Sequence, residues 1–110
     1  KLWTEKTGHP VVFASVAVNA VSASEKKDLL SLFFQKLNQS HEFFAGHPEE
    51  IAAYARSRST LALNFGEYYS HLTYKFTPEL KAGLLYYYRM LAKHDLAPPV
   101  ERIRYYDEKA

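Results

Sequence analysis

The run Val11-Val12-Phe13-Ala14-Ser15-Val16-Ala17-Val18 constrains this chain more than any other stretch. It is entered through Thr7-Gly8-His9-Pro10 and is rich in β-branched and aromatic residues, the composition of a strand buried on both faces. A strand of that kind cannot stand alone, because its backbone groups need neighbouring strands and its two faces need helices above and below. The residues that follow carry helical patterns only. The expectation is therefore one buried strand from an otherwise missing sheet, a single incomplete domain completed by a preceding portion of polypeptide or by a second copy.

Length and charge narrow the possibilities further. With 110 residues the chain is at most one domain. Its formal net charge is only +2, and the basic pairs Lys26/Lys27, Arg56/Arg58 and Arg102/Arg104 are spread along the sequence, so no nucleic-acid footprint is expected. The absence of cysteine excludes disulfides and thiolate metal sites. No apolar run approaches the roughly 18 residues of a membrane span, and a cytoplasmic location is expected. Tyrosine is abundant, with 9 residues, and a buried Tyr needs a hydroxyl partner, which favours packed interfaces.

Taken in order, Leu2 and Trp3 read as an amphipathic scrap ahead of the turn. Residues 19–24 are small and polar and suit a connection, with Ser22 and Glu25 spaced as a capping box and Ser24 as the competing cap. Leu29, Phe33 and Leu37 recur at i, i+4, i+8 and, with Leu30 and Phe34, predict a long amphipathic helix ending near Phe44, with Gly46 in the left-handed position beyond it. His47-Pro48-Glu49-Glu50 restarts a helix, with Pro at its first turn and acids at its positive end. Asn64 is placed to cap a short helix reaching His71, and residues 72–76 alternate like an edge strand or extended connector. Thr77-Pro78-Glu79 opens the last helix, whose stripe is Leu80, Leu84, Tyr87/Tyr88 and Leu91. Residues 100–106 read as a terminal extended segment.

Several of these residues carry a resemblance. Trp3-x-x-x-Thr7-Gly8-x-Pro10-x-Val12-Phe13-Ala14 is similar to a stretch of the menaquinone-biosynthesis enzymes of the futalosine pathway. Tyr69-x-His71-Leu72-Thr73-Tyr74, Phe76-Thr77-Pro78-Glu79-Leu80, Gly83-Leu84-x-x-Tyr87-Tyr88 and Leu96 follow in the same order. The match is with the chorismate dehydratase branch, and it corresponds to the C-terminal part of a family member. It implies an α/β protein with a two-lobed fold like the type II periplasmic binding proteins. Residues 1–21 would then be the end of the second lobe and a crossover strand. Residues 22–110 would be the helical part packed on the first lobe, mostly α with short extended segments. The implied reaction is dehydration of chorismate, a small-molecule carboxylate, to 3-[(1-carboxyvinyl)oxy]benzoate without metal or organic cofactor. Its catalytic groups are expected upstream of this chain. One departure stands out: this chain has Val16 where family members place a Trp, which alters the local pocket.

Candidate site residues follow from position. A crossover strand brings its backbone and alternate side chains to a cleft, so Pro10, Phe13 and Ser15 are the substrate-side candidates. Glu67 and His71 stand at i, i+4 and could share an ion, but no third ligand is near in sequence, so no metal site is assigned. Tyr86-Tyr87-Tyr88 invites a stacking-platform reading. On one helix, however, successive residues point about 100° apart, so the three cannot form one face and helix packing is expected instead. No nucleophile–base pair or phosphate loop is visible. Two other classes stay open: a solute-binding protein of the same fold, and a small helical interaction module completed by a partner or by homodimerisation.

Overall fold

The computed structural model describes residues 1–106. Among these the regular elements are α1 (Leu2–Thr7), α2 (Ala20–Glu25), α3 (Lys27–Gly46), α4 (Pro48–Arg58), α5 (Phe65–Ser70) and α6 (Pro78–Lys93). No strand forms among the described residues, so the expected α/β class with one buried strand is overturned and the architecture is helical. The reason lies in residues 10–18. Their backbone N–H and C=O groups have no hydrogen-bond partner among the described residues, and a strand exists only through such bonds. Nor is the run buried: Phe13 is 87% and Val16 64% exposed. Residues 72–76, expected as a short strand or connector, likewise form no strand.

The chain divides into two compact units, Lys1–Glu25 with Phe76–Ala110, and Lys26–Lys75. In the first, the sequence around Trp3 forms a helix rather than a scrap. Gly8 closes α1 with φ 70°, a left-handed backbone that glycine adopts without Cβ strain, and its N–H bonds to Thr4 O at 2.9 Å. The Thr7 hydroxyl donates to Trp3 O at 2.9 Å and accepts the His9 N–H at 3.2 Å, which fixes the exit from the helix. α2 occupies what looked like a connection. Its start is held by Asn19, whose Oδ1 accepts from Val21 N–H at 2.9 Å, and the expected capping of the long helix by Ser22 or Ser24 is corrected, since α3 follows Lys26 with no side-chain cap. Ser24 donates instead to Val21 O at 2.8 Å.

α6 forms as its sequence predicts. Thr77 Oγ1 accepts the Leu80 N–H at 3.3 Å and Pro78 fills the first helical position. Its end is a Schellman motif: Leu96 N–H reaches Leu91 O at 2.9 Å and Asp95 N–H reaches Ala92 O at 3.1 Å. The left-handed residue there is Asp95, with φ 56°, where glycine would be usual. Beyond it, Tyr105 meets Phe76 edge to face, 6.2 Å between centroids, and lies under the Lys81 ammonium at 4.4 Å. That cation–π contact tethers the tail to the first turns of α6.

In the second unit α4 packs on both α3 and α5. Ala52 of α4 and Phe65 of α5 are the buried hydrophobic residues, 5% and 8% exposed. Asn64 caps α5 as expected, its Oδ1 accepting from Glu67 N–H at 3.1 Å. Phe44 meets Tyr69 and Tyr74 edge to face, at 5.5 and 5.3 Å between centroids, arrangements that contribute about 0.5–1.5 kcal/mol each beyond area burial. Gly46 is the last residue of α3 with a negative φ, so the expected left-handed glycine there is corrected; His47 ends α3 and begins α4 at once.

Both units leave much apolar surface open. α3 is the clearest case: Leu30, Phe34 and Phe44 are half-buried, whereas Leu29, Leu32 and Phe33 are exposed.

Candidate functional site

The candidate region is built where the N-terminal turn meets α6. Gly83, Tyr86 and Tyr87 stand at i, i+3, i+4 and therefore share one side of that helix. Trp3 meets Tyr86 and Tyr87 in edge-to-face geometry, with centroids 6.0 and 5.9 Å apart and planes at 73° and 69°. The His9 ring lies over Tyr86 at 4.7 Å and 33°. Pro10 reaches α6 at Gly83. A Cβ built on Gly83 would stand 2.8 Å from Pro10 O and 3.4 Å from Pro10 Cδ and Cγ, so the absence of a side chain is what allows the approach.

The indole N–H of Trp3 is buried and has no hydrogen-bond partner among the described residues. Tyr86 and Tyr87 thus serve packing, in line with the geometric argument against a three-ring platform.

Of the three substrate-side candidates, Pro10 is half-buried and fixed against α6. Phe13 and Ser15 are exposed, as is every residue from 13 to 17. The structure does not enclose the three in a pocket. Chemically they offer an apolar ring, a hydroxyl and free backbone groups, a set suited to holding a ligand and not to moving protons. Sequence reasoning missed His9, Gly83 and Tyr86. The spacing of Gly83, Tyr86 and Tyr87 on one helical side was the available signal, but which element they face could not be read from spacing.

The second unit carries a groove of about 270 Å³ between α4 and α5, lined by Pro48, Glu49, Ala52, Arg56, Asn64 and Gly66. None of the sequence candidates lines it. Glu67 and His71 are both exposed, and no group of three His, Asp or Glu side chains among the described residues stands close enough to hold a metal ion. Among the described residues, Tyr74 and Glu79 titrate away from their ordinary values. Burial, reinforced by Tyr69 and Tyr68, pushes the Tyr74 hydroxyl above 10.0. Glu79 is held below 4.5, first by its own backbone N–H and then by the Thr77 hydroxyl. No helix among the described residues is long and apolar enough to cross a membrane.

Comparison with known proteins adds one finding. A family model described as menaquinone biosynthesis matches residues 1–93. That span includes Trp3, the turn at Gly8, residues 11–18 and all of α6. No curated protein matches, and no solved structure matches.

Proposed function

We propose, from the premise that this chain belongs to the menaquinone-biosynthesis family, that it serves the dehydration of chorismate to 3-[(1-carboxyvinyl)oxy]benzoate. In that reaction a ring hydroxyl leaves as water, a ring C–H gives up its proton, and the freed electron pair completes the aromatic ring. The step is redox-neutral and asks for no electron carrier. It asks for a general base and acid within hydrogen-bond reach of the ring, and we assign neither to this chain. Its role is that of a non-catalytic portion of a cytoplasmic lyase, with Pro10, Phe13 and Ser15 toward the small-molecule carboxylate. The apolar run at residues 11–18 is covered by further polypeptide or by a second copy of the chain.

The observation that carries this reading is the family match over residues 1–93. The exposure of Phe13 and Ser15 supports the assignment of the substrate side, because an apolar ring in solvent has more to gain from a ring-bearing ligand than a buried one. The test is an assay of the intact gene product for conversion of chorismate to the enolpyruvyl benzoate, followed by its aromatic absorbance. Phe13→Ala is expected to lower kcat/KM out of proportion to any loss of melting temperature. Full turnover in that variant removes Phe13 from the site, and no turnover in the parent defeats the proposal.

A second reading has one observation in its favour. The regular structure is helical throughout the described residues, as in a small interaction module closed by a second copy. Size exclusion separates the two, since a dimer without chorismate turnover supports the module.

A further inference from the structure

The close crossing at Gly83 does more than pack α1 against α6. Three contacts hold the residues just before the apolar run, all on one side of α6. Trp3 sits on Tyr86 and Tyr87, His9 lies over Tyr86, and the Pro10 carbonyl rests where a Gly83 side chain would be. Thr7 links the first two, donating to Trp3 O and accepting from His9 N–H. After Pro10 the described residues supply no further hydrogen bond to the backbone until Asn19 accepts from Ala23 N–H. The position from which residues 11–18 depart is therefore set by this three-point contact.

We infer that Gly83, with His9 and Tyr86, is a positioning residue that sets where Phe13 and Ser15 meet the substrate; this rests on the proposed chorismate reaction. Gly83 touches no substrate. It acts through Pro10, because any side chain at position 83 must push a backbone carbonyl and not the end of a flexible side chain. Pro10 cannot absorb the push by rotating about φ, which its ring fixes. The displacement passes along the chain to residues 11–15.

The experiment compares Gly83→Ala, His9→Ala and Tyr105→Ala in the full-length protein. Tyr105 lies on Phe76 and Lys81, away from the crossing, and controls for lost stability in the same unit. Phe13 and Ser15 bind and do not react, so their displacement removes binding shared by ground and transition states, and Gly83→Ala is expected to raise the KM for chorismate about tenfold. His9→Ala, which adds no bulk, is expected to raise it less, and kcat is expected to change little in either. An equal KM in Gly83→Ala and Tyr105→Ala, at matched loss of melting temperature, overturns the inference.

A readout without substrate keeps the crossing testable by itself. Fluorotryptophan at Trp3 gives a fluorine NMR resonance, assigned by its loss in Trp3→Phe, that is expected to move in Gly83→Ala and to stay in Tyr105→Ala. A resonance that stays in both overturns the crossing whatever the kinetics. If the parent shows no turnover, the reaction proposal fails and takes the substrate role of Gly83 with it, while the Trp3 resonance still decides the crossing.

Discussion

The substitution of alanine for glycine has opposite consequences at two helical positions of this chain, and the sign follows from the structure. At Gly46, the last residue of α3, a Cβ meets nothing within 4 Å. Replacement there reduces the freedom of the unfolded chain at no native cost and is expected to stabilise by about 0.4–1 kcal/mol. At Gly83 the same gain in helix propensity, about 0.8–1.0 kcal/mol, is opposed by the collision with Pro10 O at 2.8 Å. Overpacking of that kind costs about 1–3 kcal/mol, and the obstacle is backbone, so the upper half of that range applies. Gly83→Ala is therefore expected to destabilise by about 1–2 kcal/mol, against a gain at Gly46. Urea titrations of both variants, followed by helical circular dichroism, give the two midpoints. If Gly83→Ala is stabilised as much as Gly46→Ala, Pro10 does not lie on α6 and the described crossing is wrong.

Other outcomes follow from the same reasoning. Asp95→Gly relieves a side chain held at φ 56° in the Schellman motif and is expected to raise stability by up to about 1 kcal/mol; an unchanged melting temperature contradicts the left-handed assignment. Trp3→Phe deletes a buried N–H that has no acceptor among the described residues, so it is expected to cost under about 1 kcal/mol, far less than Trp3→Ala. Equal losses would mean that the indole N–H has an acceptor in solution. Glu79 contributes stability that is present above its ordinary 4.5 and is lost as pH falls through its depressed native value. Glu79→Gln should flatten the acid limb of the stability profile in that window, and an unaltered limb assigns it to other carboxylates.

Much of the helical framework was legible in the residues because its signals are local. Thr77-Pro78-Glu79 announced the start of α6, Asn64 that of α5 and Pro48 that of α4, and each cap or first-turn residue sits as its chemistry dictates. The errors occurred where local composition and distant partners disagree. Residues 11–18 have the makeup of a strand, but a strand is a relation between segments, and these described residues provide no second segment. Gly46 looked like a helix stop on residue type alone, whereas the stop is made by His47. The serines expected to cap the long helix lie inside α2 instead, and α3 starts behind Lys26 with no side-chain cap. In the candidate site, Pro10, Phe13 and Ser15 were nominated by position along the chain. The aromatic and glycine contacts that hold Pro10 depend on a fold-back to α6 that no spacing rule encodes.

His47 ends one helix and opens the next without an intervening residue. Its Nδ1 lies 2.9 Å from Phe43 O and its ring stacks on Phe43 at 4.1 Å and 13°. An elbow of one residue has no slack. Extra residues inserted there would separate the ring from its carbonyl and swing Pro48 out of the first turn of α4, whereas residues 60–63 join α4 to α5 without helical hydrogen bonds to break. For anyone grafting a tag, a probe or a new cut point into this unit, the longer connection is the permissive place, and the α3–α4 junction is the one whose length must be preserved.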